Sequence, residues 1–327
     1  MLYLTTREKY DAFTVARALS SDCGPDGGRY VPYKMPHFSA EELSTLKDQS
    51  FGQTIAEVLN LFFGCNLTAW DVDFCIGKCP LRVVSMGQKV FVAECWRNLE
   101  GSYARLERIL ADRINGAGKD VTSWLRIAVR IAVLTAIFGE LRRQGMTEPV
   151  DIAVPDGDFT GPMAVWYARQ MGLPVANIVC ACTEGSPAWS LLTQGRVRSL
   201  EQTMPELERL IFATLGVDEV RRLGDLHSFG GVLELTPFML EALRKGLEPA
   251  IVSESRVLDA IPNVYRTNSY ILEPGTAKAY SGLMDYRAHQ RVTRSALLIA
   301  ECSPVDHATV VADALSIRKE QLKELLR

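Results

Sequence analysis

Val150-Asp151-Ile152-Ala153-Val154, followed by Pro155-Asp156-Gly157-Asp158, is the stretch on which the fold turns. The first five residues are a mostly apolar run of strand length. The next four are a turn, because Pro presets φ and Gly accepts positive φ. Residues 161–171 then have helical spacing and are closed by Gly172-Leu173-Pro174. Ala176-Asn177-Ile178-Val179-Cys180 is a second apolar run. A strand, a helix and a strand joined this tightly make a right-handed βαβ crossover, and therefore a parallel pair.

The pattern extends in both directions. Upstream, residues 122–143 read as one long helix, with Leu125, Ala128, Val129, Ala132, Ala136, Ile137 and Leu141 on one face and Gly145 at its C-cap. Val83-Val84 and Val90-Phe91-Val92 flank Gly87 as a hairpin. Ile55, Val58, Leu59, Phe62 and Phe63 fall at helical spacing, and Ser39 with Glu42 forms a capping box. Downstream, helices are expected at Pro205–Leu215, Pro237–Arg244, 277–288, 307–315 and 317–326, and a strand at 295–300. Alternating helices and apolar strands predict an α/β sheet with helices on both faces.

Composition narrows the function classes. A net charge of −3 argues against a nucleic-acid partner. The longest apolar run, 127–138, is broken by Arg130 and falls short of the roughly 18 residues of a membrane span. Met1-Leu2-Tyr3-Leu4 turns polar too soon for a signal peptide, so a cytoplasmic protein without a membrane role is expected. The eight cysteines are scattered and read as reduced thiols. Cys75 and Cys79 have no second pair at zinc spacing, so no metal is expected.

Two further blocks carry a resemblance. Tyr3-Leu4-Thr5-Thr6-Arg7 and Gly24-Pro25-Asp26-Gly27-Gly28-Arg29-Tyr30-Val31-Pro32 are similar to the opening motifs of threonine synthases. Val154-Pro155-Asp156-Gly157-Asp158-Phe159, Leu207-Glu208-Arg209-Leu210 and Glu273-Pro274-Gly275-Thr276-Ala277-Lys278-Ala279-Tyr280 resemble later blocks of that family in the same order. The resemblance implies fold type II of the pyridoxal phosphate (PLP) enzymes, a tryptophan synthase beta-like fold. It also implies an N-terminal domain at residues 1–92 and a remnant of the large cofactor domain at 93–327.

What the resemblance requires is in part missing. The family holds PLP on a lysine as a Schiff base, and the pyridinium ring then serves as the electron sink. Ala104 stands at that lysine's position, and no lysine lies between Lys89 and Lys119. The family's small cofactor-covering subdomain has no room in residues 105–120, since one βαβ unit takes roughly 30 residues. Gly116-Ala117-Gly118 reads as a splice. The family's phosphate turn corresponds to Asp156, Gly157, Asp158, Phe159 and Thr160, with carboxylates at two positions. Each would oppose a phosphate by roughly 3 kcal/mol per unit charge at about 5 Å and a dielectric of 20. Asp156 or Asp158 is expected instead to cap the helix that the phosphate would cap. Glu301, Ser303, Asp306 and Gly275 replace other family site residues.

Three functions follow as alternatives. One is a pseudoenzyme without catalytic residues or cofactor, binding a ligand or partner. The second is changed chemistry in the opened cleft, and the third a working PLP lyase. Loss of the subdomain is expected to bare the strands at 150–154 and 295–300. The chain itself, a homodimer or another protein would then cover them.

Overall fold

The computed structural model describes residues 1–8, 10–76, 81–99, 102–115, 121–197, 205–228 and 231–326. Cys79 and Gly116-Ala117-Gly118 lie outside them. Among the described residues, eleven strands form three sheets. The N-terminal sheet is antiparallel, with β1 (Leu2–Thr5) between β2 (Phe13–Thr14) and β3 (Tyr30–Pro32). The main sheet contains β4 (Val83–Ser85), β5 (Val90–Glu94), β6 (Val150–Pro155) and β7 (Val175–Cys182). A small hairpin, β8 (Arg196–Val197) with β9 (Leu233–Glu234), stands apart. β10 (Leu247–Ile251) and β11 (Ala296–Ala300) complete the main sheet, whose order is β10-β7-β6-β11-β5-β4, parallel except for β4.

Period-two alternation explains why these strands are apolar throughout. Ile152, Ile178, Cys180 and Leu297 face one core, while Ala153, Val179 and Leu298 face the other. Helices cover both faces, as parallel sheets require. Ser123–Arg143 and Thr160–Gln170 lie on the first face. Glu254–Asn268 and Pro274–Gln290 lie on the second. The strands expected to be bare are therefore covered by helices of this chain. No described helix is long and apolar enough to cross a membrane.

The N-terminal region shares the first core. The helix Phe51–Phe63 packs along Ser123–Arg143, and a Cβ on Gly139 would lie 2.8 Å from the Leu46 carbonyl oxygen. Trp124, 1% exposed, meets Tyr3, Phe62 and Tyr167 edge-on at 6.1, 5.7 and 5.4 Å between ring centroids. Its indole N–H donates to Tyr3 Oη, which donates to the Phe62 carbonyl. The 92/93 division falls inside β5, and the core is continuous across it.

The opening motifs fold this region together. Thr5 donates to Asp26, and Asp26 accepts the Gly28 amide, which closes the Gly24–Gly28 turn. Thr6 donates to Glu208, Arg7 pairs with Glu208 at 3.2 Å, and Arg209 donates to the Tyr30 carbonyl at 3.0 Å. Glu208 and Arg209 sit on the helix Pro205–Leu215 and are buried. That helix clamps the N-terminal sheet to the rest of the molecule.

Candidate functional site

The turn after β6 lies at the carboxyl ends of the parallel strands, the edge at which open α/β sheets bind ligands. Its backbone bends through positive φ at Gly157 (43°) and Phe159 (67°). The second is a left-handed position held by a non-glycine residue, whose ring is buried in the core. Thr160 also turns inward, whereas Asp156, Gly157 and Asp158 line a cleft of about 310 Å3.

Both carboxylates in the turn are engaged. Asp158 Oδ1 accepts the first helical amide, that of Thr160, at 3.0 Å. Asp156 Oδ1 accepts the Gly157 amide at 3.0 Å and pairs with Lys278 Nζ at 2.5 Å. Its Oδ2 accepts the Thr183 amide at 3.0 Å and the Ser186 hydroxyl at 2.7 Å. Asp156 is thus a buried hub tying β6, β7 and the helix Pro274–Gln290. Across the cleft, Glu273 caps that helix through the amides of Gly275 and Thr276 at 2.6 and 2.5 Å.

The other wall is held by Arg130. Its Nε and Nη2 fork onto Glu301, each at 3.2 Å, and its Nη1 reaches Glu107 at 3.2 Å. Its guanidinium stacks over the Tyr103 ring at 5.1 Å. Burial raises the Glu107 carboxyl above its ordinary range, with Arg130 and Arg126 opposing the rise. Burial also pushes the Cys95 thiol up to about 12 and raises Cys302, to which Glu273 and Glu301 add. Neither thiol is poised as a thiolate nucleophile.

Ala104 is exposed on the helix Ser102–Asn115 and does not line the cleft; Tyr103, one residue earlier, does. This helix occupies the segment read as too short for a subdomain. It packs on Ser123–Arg143, with Leu106, Leu110 and Ala111 buried at i, i+4 and i+5 on one helical face. Among the described residues no strand lies between Glu94 and Val150. Ser303, Asp306 and His307 form a local turn, with Asp306 accepting the Ser303 amide at 2.8 Å. Sequence reading overlooked Arg130, Glu107 and Lys278 as groups that shape the cleft. Lys278 had a signal: a lysine where the resembled block has an apolar residue, matched by an aspartate in the turn.

These residues do not fit PLP. No described lining residue is a lysine, and carboxylates already hold amides at the start of the helix, where a phosphate would be bound.

Residues 2–79 match the family model of the threonine synthase N terminus. Human Threonine synthase-like 1 is 27% identical over a 179-residue alignment that covers 48% of this chain and 24% of that protein. Threonine synthase from Schizosaccharomyces pombe is 24% identical over 47% of this chain and 37% of its own. Threonine synthase from Pseudomonas aeruginosa is 22% identical over 85% of this chain and 83% of its own. The chain is thus similar to threonine synthases, and at residues 2–79 it matches the model of their N terminus. Its matches to the human and fission-yeast relatives thus span about a quarter and a third of their lengths. The fold agrees. PLP-bound threonine synthase from Brucella melitensis superposes with a TM-score of 0.80 at 18% identity, covering 97% of this chain and 92% of that one. The yeast enzyme gives 0.79 at 16% identity, covering 99% and 93%. The expectation of a threonine-synthase-like, fold-type II α/β architecture holds.

Proposed function

We propose that this threonine synthase-like chain has left the family's lyase reaction and works as a non-catalytic binding protein. One observation carries the reading. Among the described residues the cleft offers no amine for a Schiff base, and the turn that would take the phosphate is filled by its own carboxylates. An imine needs a lysine Nζ within bonding reach of the cofactor aldehyde, and neither the exposed Ala104 nor the cleft-lining Tyr103 supplies one. Lys278 is held behind the turn by Asp156 and Thr183, each at 2.5 Å.

The test is growth. The chain, expressed in a host lacking threonine synthase, should not restore growth without threonine. Ala104→Lys should not restore it either, because the turn remains carboxylate-filled. Growth with the unaltered chain would overturn the reading. Growth with the single substitution would locate the whole defect at the lysine.

A further inference from the structure

The cleft has two unlike surfaces. Val133, Leu134 and Ile137, a stripe of the helix Ser123–Arg143, face Val154 and Ile299 at the ends of β6 and β11. This wall is apolar. Asp158, Glu273 and Glu301 line the cleft as well.

Charge decides what such a pocket takes. Arg130 is the only Arg or Lys among the described lining residues, and Glu301 and Glu107 occupy both edges of its guanidinium. With Arg126 also acting on Glu107, these two carboxylates are balanced by two guanidiniums, and Asp158 and Glu273 are left, each with a negative charge. His307 lies 4.0 Å from Glu273 and offsets at most one of them when protonated. A ligand carboxylate or phosphate therefore meets no uncommitted guanidinium or ammonium, whereas a cation meets Asp158, which is exposed. The cleft's volume, about 310 Å3, is at the lower end for ligand pockets, roughly 300–1,000 Å3, so the ligand is small.

We propose that the cleft binds a small organic monocation: a primary ammonium on a compact apolar body. The ammonium sits among Asp158, Glu273 and Glu301, and the body lies against the Val133-Ile137 stripe. Zwitterions and anions are disfavoured, because their carboxylate or phosphate has no free partner. The proposal rests on the reading that the cleft does not hold PLP, and its test separates the two.

Calorimetric titrations of the full chain with benzylammonium, benzyl alcohol and benzoate keep the body nearly constant and change only the charge. Benzylammonium should bind about tenfold more tightly than the alcohol, and benzoate most weakly. Asp158→Asn should weaken benzylammonium about threefold and leave the alcohol unchanged. Val133→Trp, with folding checked by circular dichroism, should fill the cleft and abolish both. Equal or reversed ordering, no saturable benzylammonium binding at millimolar concentration, or binding that survives both variants overturns the proposal. A parallel titration with PLP keeps the failures apart. An imine absorbing near about 410 nm would sink the non-catalytic reading. Silence toward both PLP and benzylammonium would sink only the monocation.

Discussion

The clamp and the cleft are built from motifs of the same resemblance, yet they treat them differently. In the clamp, motif residues bond to one another: Thr6 and Arg7 to Glu208, Arg209 to the Tyr30 carbonyl, Thr5 to Asp26. In the cleft, the positions that differ from the resembled blocks are held by other groups of the chain: Asp156 by Lys278, Asp158 by the Thr160 amide, Glu301 by Arg130. Buried polar groups must be satisfied in either case. The clamp's partners belong to the chain, so its residues constrain each other whatever the protein binds. In a cofactor site some of the partners belong to the ligand. On the proposed reading the ligand no longer supplies them, and aspartates and a lysine of the chain do so.

If this contrast is right, substitutions should hurt the clamp far more than the cleft. Trp124→Ala removes a fully buried ring and the indole donor to Tyr3 Oη; urea unfolding should show a loss of about 4 kcal/mol. Glu208→Ala leaves Thr6 and Arg7 without their carboxylate and should cost about 3 kcal/mol. Asp158→Ala frees one helical amide at an exposed turn and should cost roughly 1 kcal/mol by the same assay. Cleft substitutions as costly as Trp124→Ala would erase the distinction.

The smallest effect is a pH dependence. Burial raises the Glu107 carboxyl above its unfolded value, so the folded state binds its proton more tightly. That contribution to stability is fully present below the ordinary carboxylate range and is lost as pH rises through the raised value. Glu107→Gln should therefore flatten the fall of melting temperature on moving from acid toward neutral pH. An unchanged slope would place the proton elsewhere.

Much of the fold was legible. The βαβ unit, the long helix, the β4–β5 hairpin and the helices Pro205–Leu215 and Pro237–Arg244 follow from apolar period and caps. The omissions have physical causes. β10 contains Pro249 and Glu248 and reads poorly as a strand, but it is the sheet's edge, where a missing N–H is tolerated. The helix Glu254–Asn268 contains Pro262, and Pro274–Gln290 starts earlier than expected because Glu273, an uncommon cap, holds its first amides. In the site, replacements could be read one residue at a time, but their pairing could not. Asp156 and Lys278 are 122 positions apart, and only the fold brings them together.

On the proposed reading the cleft satisfies itself and does not take PLP. This is tested most directly by incubating the purified chain with PLP, reducing with borohydride and locating any adduct by mass spectrometry. No absorbance at about 410 nm and no stoichiometric adduct on any one lysine are expected. A single stoichiometric pyridoxyl-lysine, at Lys278 or elsewhere, would contradict that reading.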